Sequence, residues 1–313
     1  MKKKMINETK IVGYLYDHEL NLKVSGENSK KPGTTFINGD LMIATDTKGL
    51  NVIKIHYSYV TETTSKGSTN NTFLVLKNII DGKYKSIAAG DENPTILKAD
   101  SAIELIEFPD PQDESKWISA KKNEAGFIKT IAENELPDNE KDRATFTADI
   151  VITKFTRKEA NEEKNLPEKG VVKGYIFNFR KAVLPVEFSV LNPKAIDYFE
   201  SLDISNKNPI FTKVWGQQLS QTVVKKKVEQ NAFGEDFVTE TKNSYKDYVI
   251  TGASKEPYDF DTEDSILATE LQEALIQREI YLASEKQRRE EYQKQKQQQQ
   301  IKQNIDSKPV YNF

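Results

Sequence analysis

Two small five-stranded β-barrels in tandem, followed by a C-terminal α-helix and a polar tail, is the mainly β architecture that this 313-residue sequence predicts. Three observations carry that expectation. Short apolar runs of period two, separated by Gly, Pro, Asn and Asp clusters, recur through both halves of the chain. One short helical segment interrupts each half, near Thr72 and after Asn192. From Thr262 the pattern changes to leucines at helical spacing, and then to a run of Glu, Gln, Lys and Arg.

Residues 1–9 read as a flexible N-terminus. Ile11 to Tyr16 is a short apolar strand, and Thr34 to Thr45, TTFINGDLMIAT, is a longer one with Gly39 as a bulge. Asn51 to Val60, NVIKIHYSYV, alternates: Ile53, Ile55, Tyr57 and Tyr59 form the core face, and Lys54, His56 and Ser58 the other. DTKG, Asp46 to Gly49, joins the last two strands as a hairpin turn. After the Ser/Thr/Asn loop Thr61 to Thr72 comes a helix closed by Gly82. Strand signals return at Thr95 to Phe108 and Thr145 to Phe155, across a polar stretch holding Pro109, Pro111 and Pro137. Strand, long bent strand, strand, helix, strand, strand is the order of a barrel of the OB type, although other small barrels fit it too. The first barrel is expected over residues 10–157.

A charged segment ending in Pro167 and Gly170 reads as a linker over 158–170. The chain then restarts, for KGYIF at Lys173 to Phe177 echoes VGYLY at Val12 to Tyr16. A strand at Val183 to Val190, a helix capped by Asn192 with Pro193 at its first position, and strands at Ile210 to Val228 and Phe237 to Thr251 make a second barrel over 171–260. The helix over 261–283 has Leu267, Leu271, Leu275, Arg278 and Leu282 at helical spacing, a narrow apolar stripe suited to coiled-coil pairing, and 284–313 is a solvated helical extension or disordered tail.

Composition bounds the function. With 45 basic and 48 acidic residues the net charge is -3, so the whole molecule exerts no long-range pull on nucleic acid or anionic lipid, and binding must come from local patches. The lack of cysteine removes disulfides, thiolate nucleophiles and thiolate-bound metals. No apolar run approaches membrane-spanning length and MKKKMINETK lacks the apolar core of a signal peptide, so a cytoplasmic protein without membrane contact is expected. His18 and His56 are the histidines available for acid–base work, and neither GxxxxGK[ST] nor GxGxxG occurs. The acidic clusters at Asp138 to Asp142 and Asp259 to Asp264 are consecutive in turns or at a helix start, where they complement the helix dipole. Neither a cofactor nor catalysis is expected.

The stretch Ile210 to Val228, IFTKVWGQQLSQTVVKKKV, holds the strongest functional signal. Period two sets Phe211, Lys213 and Trp215 on one face, and Lys225, Lys226 and Lys227 follow. Flat rings beside ammonium groups suit an unpaired nucleic acid, whose bases stack and whose phosphates need cations.

The segments GYLYDHELNL, GTTFINGDLMIATD, LNVIKIHYSYV, KGYIFNF, LPVEFSVLNP and FTKVWGQQLSQTV, across most of residues 10–252, resemble the OB-fold single-stranded DNA-binding proteins of bacteriophages of low-G·C bacteria. The resemblance implies a protein that coats transient single strands in replication or recombination. It would have Tyr14, Tyr175, Phe177 and Trp215 stack bases, Lys54, Lys173, Lys213 and Lys225 to Lys227 meet phosphates, and Lys66 close over the strand from its loop. Replication or recombination proteins would dock on the C-terminal segment, though PVYNF ends in Phe313 without the acidic run of bacterial relatives. The competing expectation is a virion or scaffold protein that oligomerises through the helix.

Overall fold

Strand pairing closes two rings of the same connectivity. The computed structural model describes residues 4–110, 112–160, 168–229, 237–262 and 266–306, the side chains at 114, 115, 125, 221–229, 237–245 and 297–306 lying outside that description. The first half consists of β1 (Asn7–His18), the short β2 (Asn21–Val24), β3 (Thr35–Ala44), β4 (Val52–Thr61), α1 (Asn71–Ile80), β5 (Ile96–Asp110) and β6 (Asp113–Thr130). β1 pairs with β3, β3 with β4, β4 in parallel with β6, β6 with β5, and β5 back with β1. The second half repeats the circuit with β7 (Ala144–Lys158), β8 (Lys169–Phe177), β9 (Val183–Val190), α2 (Pro193–Ser201), β10 (Ile210–Glu229) and β11 (Phe237–Ala253). There β7 pairs with β8, β8 with β9, β9 in parallel with β11, β11 with β10, and β10 with β7. Five strands with a helix between the third and fourth is the OB arrangement in both cases. α3 (Ala268–Asp306) ends the described chain.

Local chemistry explains the joints. The Asp46 carboxylate accepts from the backbone N–H of Lys48, Leu50 and Asn51 at 2.8–3.0 Å, which makes DTKG the turn between β3 and β4. Gly39, at φ 125°, sits at the register shift of β3, where a Cβ would strike the Glu19 carbonyl, so the strand bends there. Asn70 caps α1 through the Thr72 N–H at 3.1 Å, and Asn192 caps α2 through Lys194 N–H at 2.9 Å ahead of Pro193.

Two boundaries differ from the expectation. The segment 145–155 is β7, the opening strand of the second ring, while the strand that closes the first ring is β6. β6, DESKWISAKKNEAGFIKT, was hidden by its charge: its outer half stands in a hairpin that projects past the ring and has no core face to impose period two. The stretch 158–170 therefore connects β7 to β8 within the second ring, residues 161–167 of it lying outside the description. The rings are joined instead by 131–143, where the buried Arg143 guanidinium donates to Pro137 O at 2.7 Å and Thr45 O at 2.8 Å. The echo of VGYLY in KGYIF is not positional either, because one lies on the first strand of its ring and the other on the second.

Ile11, Leu15, Leu41, Ile43, Ile55 and Phe73 fill the first ring, and Phe146, Ile150, Val172, Phe188 and Ile250 the second. Each such burial contributes about 1.5–3 kcal/mol. β1 and β7 pair across the junction, Ile103 of β5 joins the second core, and Asn123 of β6 donates to Gln218 Oε1 at 2.8 Å while accepting from Tyr248 Oη at 3.1 Å. Buried hydrogen bonds of this kind hold one ring in register on the other.

α3 starts at Ala268 and not at the expected 261, with Asp261 accepting from the Ala268 N–H at 3.0 Å and Glu270 from Leu267 N–H at 3.2 Å. Two leucines of its stripe are spent on the second ring: Leu271 and Leu275, with Tyr258, Phe260 and Ile266, pack over Val151, Phe177, Val183 and Phe211. The helix is a cover at this end and continues as helix where a tail was an alternative.

Candidate nucleic-acid interface

That cover decides the fate of the aromatic residues singled out in the sequence. Phe177 is 1% exposed and offers no ring face to a base, and Tyr175 is half-buried against the same cluster. Both point outward from the ring as period two requires, but the leucines of α3 need an apolar partner and take this one. Phe211 is buried with them, tilted at 5.0 Å to Tyr258: it shares the outer face of β10 with Lys213 and Trp215 as period two requires, but lies under the cover. Those two remain on the outer side of β10, in register with Asp149 and Thr147 of β7. Trp215 is 42% exposed, and its indole lies flat over Gly252, where any side chain would collide with it.

The other candidates scatter. Tyr14 is half-buried between Ala44 and Ile96. Lys54 donates to Asp40 at 2.9 Å and Glu19 at 3.3 Å, and Lys173 is paired with Glu187, so both ammonium groups are engaged. Burial works to raise the Asp40 carboxyl, but hydrogen bonds from Lys54 and His56 outweigh it and hold it below the usual range. Lys66 is exposed at the tip of a small hairpin closed by Thr64 N–H to Ser68 O at 2.8 Å. Lys225, Lys226 and Lys227 pair along β10 with Thr241, Glu240 and Thr239, and their side chains lie outside the description.

The rings that are open were missed by the sequence. Phe36 and Tyr59, on the outer face of β3 and β4, stand 4.5 Å apart at 37°, and Lys23 of β2 is the cross-strand neighbour of Phe36. Tyr59 was assigned to the core by alternation, but β4 has one extra residue between Tyr57 and Val60, opposite the Ile37–Gly39 step of β3, which turns Tyr59 outward, 48% exposed. It lines a hollow of about 840 Å³ between β4, the β5–β6 hairpin, the β8–β9 turn and α3. The turn is braced by Asn178, whose side-chain oxygen accepts from the N–H groups of Arg180 and Ala182 at 3.0 Å, with Lys181 at φ 63°. At its apex stand Phe179, 78% exposed, and Arg180, whose guanidinium is 5.1 Å from the Phe179 ring. An aromatic in a turn directly after Asn was a legible signal for a ring outside the core.

Phe179 also lines a second hollow of about 760 Å³ beside Phe127, which is 77% exposed on β6. Glu104 and Glu124 are shared by both hollows as well. Glu104 is pushed up from the usual carboxylate range, by burial first and then by the Glu124 charge, against the pull of Asn178. In the first hollow Lys122 is paired with Glu124 at 2.7 Å and Arg278 with Glu107. The result is a groove along the ring junction with rings at Tyr59, Phe179 and Phe127, and with Arg180 and Lys181 on its rim. Among the described residues no group of three or more His, Asp or Glu is placed to hold a metal ion, and no helix is long and apolar enough to cross a membrane.

A family model described as YorF matches residues 5–299. No curated protein sequence matches. Among solved structures, a deletion mutant of the single-stranded DNA-binding protein from Thermus aquaticus is similar at a TM-score of 0.45 and 10% identity, over 83% of this chain and 98% of that one.

Proposed function

The chain belongs to the YorF family, and with that as premise we propose that it holds an unpaired nucleic acid in the groove between its two rings, by stacking bases on Tyr59, Phe179 and Phe127. The observation that carries this reading is the exposure of Phe179, 78% open at the apex of a braced turn and common to both hollows. A large ring that the core does not need, beside a guanidinium, is a stacking platform. Arg180 supplies positive charge at the rim, and Trp215 with Lys213 extends the aromatic and basic surface along β10. The acidic wall at Glu104 and Glu124 favours contact through ring faces over a phosphate-led grip. Two OB rings joined through β1 and β7 offer a continuous sheet for such a strand.

The finer assignment, a coat for transient single-stranded DNA during phage replication or recombination without chemistry of its own, is supported by the sequence resemblance set out above. Competition decides the binding mode: unlabelled single-stranded oligo-dT should displace a labelled oligo-dT far better than a duplex of equal length. Equal displacement by the duplex rejects the stacking platform. A second reading, assembly through the helix, is favoured by Ile276 and Ile280, which lie one turn apart on α3 and are exposed. Sedimentation of the full chain at rising concentration tests it, a purely monomeric profile excluding that reading.

A further inference from the structure

We propose that the hollow between the tip of the β5–β6 hairpin and the distal half of α3 is a second nucleic-acid contact, which takes the part of an unpaired strand leaving the inter-ring groove. This rests on the function proposed for that groove. Trp117 and its cross-strand partner Pro109 face Lys286, Arg289, Tyr292 and Lys296 across about 670 Å³, with Glu290 as the acidic residue of the wall. The Arg289 guanidinium lies 5.0 Å and the Lys286 ammonium 5.8 Å from the Trp117 ring centroid, and Arg289 also donates to Glu107 O at 3.3 Å. Two cations are thus gathered on one indole, next to a tyrosine that is 66% exposed.

The local charge differs from that of the whole molecule. The segment KQRREEYQKQK, Lys286 to Lys296, has five cations (Lys286, Arg288, Arg289, Lys294, Lys296) against Glu290 and Glu291, in a chain of net charge -3. Rings within a positive patch meet the two needs of a single strand at once, base stacking and phosphate neutralisation. An acidic peptide would use the charge and leave the ring faces idle. Glu107 links this hollow to the groove, since its carboxylate holds Arg278 there and its carbonyl receives Arg289 here. Along α3, Tyr281 of the groove and Tyr292 are about 16 Å apart by helical rise.

The test compares the full chain with Tyr292→Ala/Lys296→Ala and with Phe179→Ala, by fluorescence anisotropy on labelled oligo-dT of about 8 and about 30 nucleotides, the range of one and of several site sizes. The helix variant should bind the short oligonucleotide as the wild type does and the long one at least about fivefold more weakly. Its slope of log affinity against log salt on the long one should be shallower by about 0.7 for the lost phosphate contact. Phe179→Ala should weaken both lengths. A helix variant equal to wild type on the long oligonucleotide, with Phe179→Ala weakened, overturns the second contact and leaves the groove standing. If neither variant changes anything, both proposals fall. Loss of binding to phosphatidylserine vesicles or polyglutamate, with long-oligonucleotide affinity intact, assigns the patch to another partner and also overturns the inference.

Discussion

The two rings share one connectivity and differ in what lies over the outer face of their second and third strands. On the first ring that face, β3 and β4, is open and presents Phe36 and Tyr59 as a ring pair. On the second, β8 and β9, the corresponding face carries Tyr175 and Phe177, and α3 with Tyr258, Phe260 and Ile266 is laid across it. The same circuit of strands therefore supplies a surface in one place and a core in the other. What separates them is a stripe of leucines arriving from far along the chain, which shows why a site has to be argued residue by residue and not from connectivity.

The comparison is broken hardest at Phe177. Replacing it by Ala should cost about 3–5 kcal/mol of stability, read by thermal or urea unfolding, because a buried ring is removed beneath the helix. Oligo-dT affinity of the folded fraction should not change, and a weakened affinity without loss of stability would put Phe177 on the surface after all. On the first ring the consequences invert. Tyr59→Ala should leave the melting transition nearly in place and weaken oligo-dT binding by about 1–3 kcal/mol, the worth of one stacked base.

A smaller effect sharpens the contrast between rings and walls. Glu104→Gln removes a negative charge from the groove and should tighten binding by about 1 kcal/mol or less at neutral pH. Since its carboxyl titrates above the usual range, wild-type binding should also tighten as pH falls through that raised value, and Glu104→Gln should lose this part of the dependence. Measuring affinity across the acidic range for both proteins checks it, and a wild type that weakens on acidification through that range contradicts it.

The smallest effect concerns the seam. Lys121 is half-buried at the junction, with its ammonium 5.1 Å from the Tyr248 ring and 5.5 Å from that of Phe188. Desolvation lowers its pKa, against the pull of Asp247 and Glu187. The unfolded chain therefore holds more protons than the folded one between the lowered value and the ordinary one of about 10.4, and this group makes stability rise with pH across that window. Lys121→Met should lose that rise, as melting at about pH 7 and about pH 9.5 would show against wild type. An unchanged pH increment in the variant would remove Lys121 as its source.

Much of the fold was legible because short-range chemistry set it. Asn192 with Pro193, the Asp46 turn and Gly39 all act where their types and spacing indicate. β6 was not legible, since a charged hairpin outside a ring carries no alternation to read. The outward direction of Tyr175 and Phe177 was legible too, but their burial was not, because the residues that bury them lie about a hundred positions later and no local pattern states where a helix will dock. Tyr59 failed for a related reason: one bulge inverts every side chain beyond it.

Phe179 and Phe177 stand two residues apart, one open and one buried, and should behave as opposites. The direct test is a titration of labelled oligo-dT with Phe179→Ala, accompanied by a melt. A loss of about 1–3 kcal/mol in affinity with an unshifted melting transition is the predicted result. Wild-type affinity in a Phe179→Ala protein that melts normally would contradict the claim that this open ring, at the meeting of the two barrels, is where a base lies.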